Sequence, residues 1–485
     1  MKSQTNQFNI ITGSDKLSSL KYLVPLVLLS AVSAVAVVKM GIAVGIVITA
    51  LPLVSFYLFW LFRKPVVGFY SALVLDFTLI GISRYIPGDV QIGLAMDAVL
   101  LLTYLAILFE RFYDRVDWKP VRKDVTLLAA IWFGYSVLEF FNPETVSHAA
   151  WFSGMRGISL YMLLMIPLAL KFVDTRRKLN TFLTLWGVFS ILISLKGIVQ
   201  MTVGVDPFEK QWLSGAAGQT HLIFGHLRAF SFLSDAGQFG ANQAYSAVVA
   251  TIVAFAERGT RRRFFFLSVA ALGFTGMFLS GTRGAMSIPL AGFFLYFILR
   301  KNVWVMVSGL VLLVMVVLFF RMTYIGQSNQ FIRRMRSAFN PNDPSLQVRL
   351  ENQRLLKAYL ATRPIGGGIG QAGVKAKPYT GNTFLSNTPT DSWYVLIWAE
   401  QGIVGLALHL FILLYILIKS AYLIMYKIRN PVLKMKMAAL ASGYFGVMVA
   451  SYGNAVLGTM PTSLLIYTSM ALMMNSPHFD NQSPL

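Results

Sequence analysis

Cysteine is absent from the 485 residues of this chain. That absence excludes disulfide frameworks, thiolate metal sites, thiol nucleophiles and iron–sulfur centres. Histidine is scarce: His148, His221, His226, His409 and His478 are the full set. None stands in an HExxH or comparable spacing, so the expectation is an activity with no metal and no cofactor. Charge is the third shortage. Only 13% of the residues are charged, about half of the ~25% usual in soluble domains. Acids are rarest, with 20 Asp+Glu against 42 Lys+Arg. This composition argues against a soluble globular protein, and an aromatic content of 14% excludes disorder.

Apolar side chains are what the chain has in plenty. They make up 56% of it, and the mean hydropathy is +0.62. A membrane span needs about 20 mostly apolar residues. Fourteen runs qualify: 22–38, 41–60, 66–82, 93–109, 125–141, 157–173, 180–198, 238–256, 264–279, 285–299, 303–320, 393–418, 437–456 and 461–475. Several are short, which gives twelve to fourteen spans. The fold expected is all-α, a polytopic membrane helix bundle with one large outer loop. Residues 1–320 form the first part of the bundle, 321–391 a basic outer domain, and 392–485 the last spans. The first twenty residues are polar, and no small-residue cleavage site follows an apolar core. The first run therefore reads as a retained anchor.

The net charge of +22 would point to nucleic acid in a soluble protein. In a membrane protein the first cause is the positive-inside rule, and no nucleic-acid partner is expected. With both termini placed in the cytoplasm, 25 of the 42 Lys+Arg fall in inside segments. Ten of the remaining 17 lie in the loop 321–391: Arg321, Arg333, Arg334, Arg336, Arg349, Arg354, Lys357, Arg363, Lys375 and Lys377. Asp343, Glu351 and Asp391 are its only acids. Such a loop calls for an anionic partner near the outer membrane face. Within it, residues 345–361 form an amphipathic helix, with Leu346, Leu350, Leu356 and Leu360 near helical spacing. Asp343 is its cap and Pro344 lies in its first turn. The helix is expected to lie along the membrane surface, apolar face down.

Arginines in short outer turns stand at headgroup depth, where a phosphate would sit. Arg84 (SRYIPG), Arg156 (FSGMRG), Arg228 (GHLRAFSFLSDAGQFG) and Arg283 (SGTRGAM) are so placed. Guanidinium binds phosphate oxygens bidentately and stays charged, and Gly281 and Gly284 let the backbone approach. A second constellation joins the basic loop to the span at 393–418. Asp391 stands at the mouth of that span, either as a general base or as part of a helix cap with Ser392. Glu400 lies nine residues on, and Gly402 and Gly405 permit close packing or a break.

The segment 391–406, an ionisable residue followed nine positions later by Glu-x-Gly-x-x-Gly, resembles the O-antigen ligase and polymerase superfamily. SGTRGA at 280–285 resembles that family's Ser-Gly-Ser-Arg-Gly motif. Arg363-Pro364 leading to Gly366–Gly370 resembles its Pro-x-Gly-x-Gly element, and Arg228–Gly240 a further block. The resemblance covers roughly 220–410. The family's His-Asn pair is Asp391-Ser392 here.

The resemblance implies a metal-independent glycosyltransferase of the bacterial cytoplasmic membrane that acts in surface polysaccharide assembly. Its donor is a polyprenyl-diphosphate-linked glycan, and its acceptor is a hydroxyl of a glycan, lipid or protein. Arg228 and Arg283 are the first candidates to hold the diphosphate, then Arg156, with Arg349 and Arg354 closing over the donor. Asp391 is the expected base, with Glu400 in support and His221 or His226 as alternative bases. A polymerase would differ from a ligase only in its acceptor. A solute transporter or lipid-glycan flippase is a third reading, with Asp76, Asp97, Glu139 and Lys196 as an ion path.

Overall fold

A computed structural model describes residues 20–40, 42–86, 93–110, 112, 117–215, 217–223, 225–337, 339–340 and 342–482. The chain is an all-α helix bundle. Ten of its described helices are long and apolar enough to cross a membrane, and shorter apolar helices join them. Each of the fourteen apolar runs overlaps a described helix, because a backbone in hydrocarbon must satisfy its own hydrogen bonds. The run expected at 437–456 is shifted: its helix is Pro431–Ala450, capped by Asn430 and opened by Pro431.

Two compact units are present. The described residues among 1–67 and 103–115 form one. It contains the helices Leu20–Met40 and Ile42–Arg63, and Phe62 meets Phe109 edge-on with ring centroids 5.6 Å apart.

The described residues among 68–102 and 116–485 form the other. Its central helix, Ala236–Ala256, is buried along nearly its whole length. Small residues make that possible, since membrane helices approach closely only where side chains are short. A Cβ on Gly273 would lie 2.9 Å from the Gln243 carbonyl, and one on Gly443 would strike the Tyr245 ring. Several polar side chains on this helix are satisfied by neighbours. Ser190 and Ser194 donate to the Gln243 amide oxygen at 3.0 and 2.9 Å, and Trp186 donates to Ser246 at 2.8 Å. A two-stranded ribbon, Leu222–Ile223 with His226–Leu227, leads toward this helix.

The basic segment 321–391 contains the helices Gln330–Ser337 and Pro344–Leu360. As expected, Asp343 caps the second, accepting from Ser345 and Leu346 amides at 3.1 and 3.2 Å. Its leucines divide into two sets. Leu356 and Leu360 pack with Leu385, Val395 and Ala399, whereas Leu346 and Leu350 are exposed. Its C-terminal half is thus part of the protein's own core, fastened to the helix that begins at Trp393.

Candidate active site

The helix Thr260–Leu279 ends in the turn Ser280-Gly281-Thr282, and this turn gathers arginines. Gly281 has φ +57°. A Cβ there would lie 3.2 Å from Arg334 Cδ and 3.9 Å from Arg228 Cγ, so glycine lets two arginines close over the backbone. Arg228 donates to the Ser280 carbonyl (3.0 Å), the Thr220 carbonyl (3.0 Å) and the Thr282 hydroxyl (2.8 Å). Arg334 donates to the Gly281 carbonyl at 2.5 Å. Arg283 donates to Ser337 at 3.1 Å, pairs with Asp343 and donates to Ser345.

Three guanidinium groups so close together repel one another. Burial pushes Arg228 down to about 10, and the charges of Arg334 and Arg283 add to the effect while Asp235 opposes it. Arg334 is lowered first by burial and then by Arg283. Both remain cations at neutral pH. Asp343 is held down at about 2, chiefly by the Arg283 hydrogen bond.

The facing wall comes from residues 366–400. Gly402 has φ +64° inside what would otherwise be one long helix, Trp393–Tyr422. This breaks the ladder, and the carbonyls of Ala399 and Glu400 need new donors. The amides of Gly367 and Gly368 supply them at 3.0 and 2.8 Å, and the Val404 amide turns to the Pro364 carbonyl at 3.3 Å. The Pro-x-Gly-x-Gly element therefore completes the kink at Glu-x-Gly. Its glycines at 366, 368 and 370 have φ +80°, +92° and +78°.

Glu400 is buried, and one carboxylate oxygen accepts from the Ala372 amide at 3.2 Å. Its partner is thus backbone. Ser392 is the helix cap, accepting from the Val395 amide at 3.4 Å. That leaves Asp391 outside the cap, at φ +37°. Its side chain is 47% exposed and ion-paired to Arg349 at 3.5 Å.

Between these walls lies a cavity of about 850 Å³, large enough for a substantial ligand. It is bordered by Arg228, Arg283, Arg334, Arg349, Lys375, Tyr379, Asp391, Glu400 and His221. Most of the residues singled out from sequence are thus brought together.

Others are not. Arg156 is paired to Asp97 at 2.8 Å, and Tyr161 donates to the same carboxylate at 2.7 Å. Arg354 lies on the exposed side of its helix beside Glu351, 79% exposed. His226 is exposed on the short ribbon. Arg84 is enclosed by the rings of Trp212 and Phe230 and donates to the Ser231 carbonyl at 2.6 Å.

His221 borders the cavity with both ring nitrogens engaged. Nε2 accepts from the Ala236 amide at 3.2 Å, which leaves Nδ1 to donate to the Ala217 carbonyl at 2.8 Å. Burial lowers its pKa, so the ring is neutral with no free lone pair.

Arg334, Lys375 and Tyr379 were not singled out from sequence. Among the described residues, no three His, Asp or Glu side chains assemble as metal ligands. Of the candidate ion-path residues, Asp76 is buried with no hydrogen-bond partner on either carboxylate oxygen, and the other three are tied to neighbours. Asp97 is tied to Arg156, Lys196 to Asp206 and Glu209 at 3.1 and 3.2 Å, and Glu139 to Asn142 at 2.7 Å.

Residues 267–410 match the model of a family described as O-antigen ligase. The match takes in the arginine turn, the helix Pro344–Leu360, the glycine loop and the kinked helix as far as Leu410. Arg228 and the central helix Ala236–Ala256 precede it. No curated protein matches the chain.

Proposed function

We propose, on the premise that residues 267–410 are an O-antigen ligase domain, that this protein is a membrane glycosyltransferase. It moves a glycan from a polyprenyl diphosphate to an acceptor hydroxyl at the outer face of the bacterial cytoplasmic membrane. One observation carries this reading: Arg228, Arg283, Arg334 and Asp391 border a single cavity. Fixed cations on one wall and a carboxylate on the other suit a reaction in which an anion departs while a proton is removed.

In the mechanism, the acceptor hydroxyl gives its proton to Asp391. Its oxygen attacks the anomeric carbon of the donor glycan. The bond from that carbon to the diphosphate oxygen breaks, and the electron pair stays on the diphosphate. Charge grows on that oxygen through the transition state, where preplaced guanidinium groups stabilise it without reorganising. The products are the glycosylated acceptor and polyprenyl diphosphate, and Asp391 then returns its proton to solvent. The kinked helix holds Asp391 in place from below. In this arrangement segment 321–391 faces outward and the polyprenyl chain lies among the spans.

The test is turnover by purified protein in liposomes supplied with polyprenyl-diphosphate-linked oligosaccharide from the source membrane. Release of free polyprenyl diphosphate together with glycosylated acceptor supports the reading, and intact donor contradicts it. The acceptor is identified by deletion. Loss of long chains on the lipid carrier marks a polymerase, and accumulation of long carrier-linked chains marks a ligase.

A further inference from the structure

Asp343 stands between the two halves of the mechanism. One of its oxygens pairs with Arg283. The other caps the helix Pro344–Leu360 through the Ser345 and Leu346 amides and accepts from the Ser345 hydroxyl at 2.8 Å. Six residues on, the same helix presents Arg349 to Asp391 at 3.5 Å. The far end of the helix is clamped by Leu356 and Leu360, while Leu346 and Leu350 at the near end are exposed. Polar contacts therefore hold the near half, among them two ion pairs, one to the arginine wall and one to Asp391, and the Arg283 hydrogen bond to Ser345, whereas the far half is held by apolar packing.

We propose that Asp343 is the resident counter-ion of the arginine wall, and that its helix transmits donor binding to Asp391. This rests on the diphosphate reading of the cavity. A diphosphate oxygen and the Asp343 carboxylate are both oxyanions competing for the Arg283 fork. When the diphosphate takes Arg283, the capped end of the helix loses its tether to that wall. Arg349 moves with it, and the Asp391 carboxylate is released from its cation to receive the acceptor proton. With no donor bound, Asp391 stays engaged. Asp343 is thus a positioning residue that acts through Arg283 and Arg349.

The experiment uses the full chain in nanodiscs with geranylgeranyl diphosphate as the probe, reading affinity and amide exchange together. Wild type should bind the probe and change its exchange at both 345–350 and 390–393. Asp343→Asn keeps a capping side chain but removes the negative charge. It should bind the probe several-fold more tightly and lose the exchange response at 390–393. Asp343→Ser, also a cap, should do the same and guards against a folding defect in the first variant. Weaker or unchanged binding in both variants overturns the inference, as does a preserved response at 390–393. A wild-type protein that binds the probe with no exchange change at either segment overturns it while leaving the diphosphate site standing. A wild-type protein that does not bind the probe removes the diphosphate site and this inference together.

Discussion

Gly402 lies directly against Pro364: a Cβ on the glycine would sit 2.0 Å from the proline carbonyl oxygen. Two segments nearly forty residues apart in sequence thus meet backbone to backbone. The contact ends the first part of the helix that begins at Trp393 and turns the Val404 amide toward the Pro364 carbonyl. It also sets the height of Asp391 above the kink. The joint is a structural element of the candidate site and takes no part in its chemistry.

Gly402→Ala should therefore destabilise the protein by on the order of 3 kcal/mol, since both the positive φ and the clash oppose it. Gly134 is the control, because a Cβ added there would meet nothing within 4 Å. Gly134→Ala should leave the melting temperature in detergent unchanged or slightly raised. Equal melting temperatures for the two variants would contradict the role given to the joint.

Arg228→Lys keeps a charge but loses the planar fork that reaches Ser280, Thr220 and Thr282. Transfer should fall on the order of 100-fold, the scale of losing one preorganised donor to the transition state. Arg283→Ala should abolish transfer with expression intact. Arg354→Ala, on the exposed face, should transfer at the wild-type rate. Initial rates of polyprenyl diphosphate release check all three.

Asp391→Asn should cost at least ~100-fold in turnover, the low end of general-base effects. Asparagine tolerates a positive φ, so the fold survives and the loss reports on chemistry. His221→Gln should leave a protein limited by stability instead, because both ring nitrogens are already used within the fold. Single-turnover rates and melting curves, measured on the same preparations, distinguish the two.

Asp343 titrates at about 2 in the folded protein, below its ordinary value of 3.8. A carboxyl lowered by folding stabilises above its unfolded pKa, and that contribution is lost as pH falls through the folded one. Wild type should lose stability between about pH 4 and pH 2 more steeply than Asp343→Asn. Parallel melting curves for the two proteins across that window would contradict the pairing with Arg283.

The helices were legible because hydrocarbon imposes one rule on every span, and that rule is written in composition. The kink at Gly402 was only half legible: glycines were visible at 402 and 405, but their partner at Pro364 is distant in sequence. Arg334 was hidden among Arg333, Arg334 and Arg336, where one sequence offers no means of choosing the residue that turns inward. Arg354 was open to correction from helical geometry alone. It follows Arg349 by five residues, roughly 140° around the helix, so the two do not share a face. His221 misled because its Ala236 partner is supplied by tertiary structure.

The most direct test of the account is a structure of the full chain with a polyprenyl diphosphate bound. The phosphates should lie within hydrogen-bonding distance of Arg228, Arg283 and Arg334, with Asp391 facing them across the cavity. A diphosphate seated on another face of the bundle, with these arginines unaltered, would contradict it.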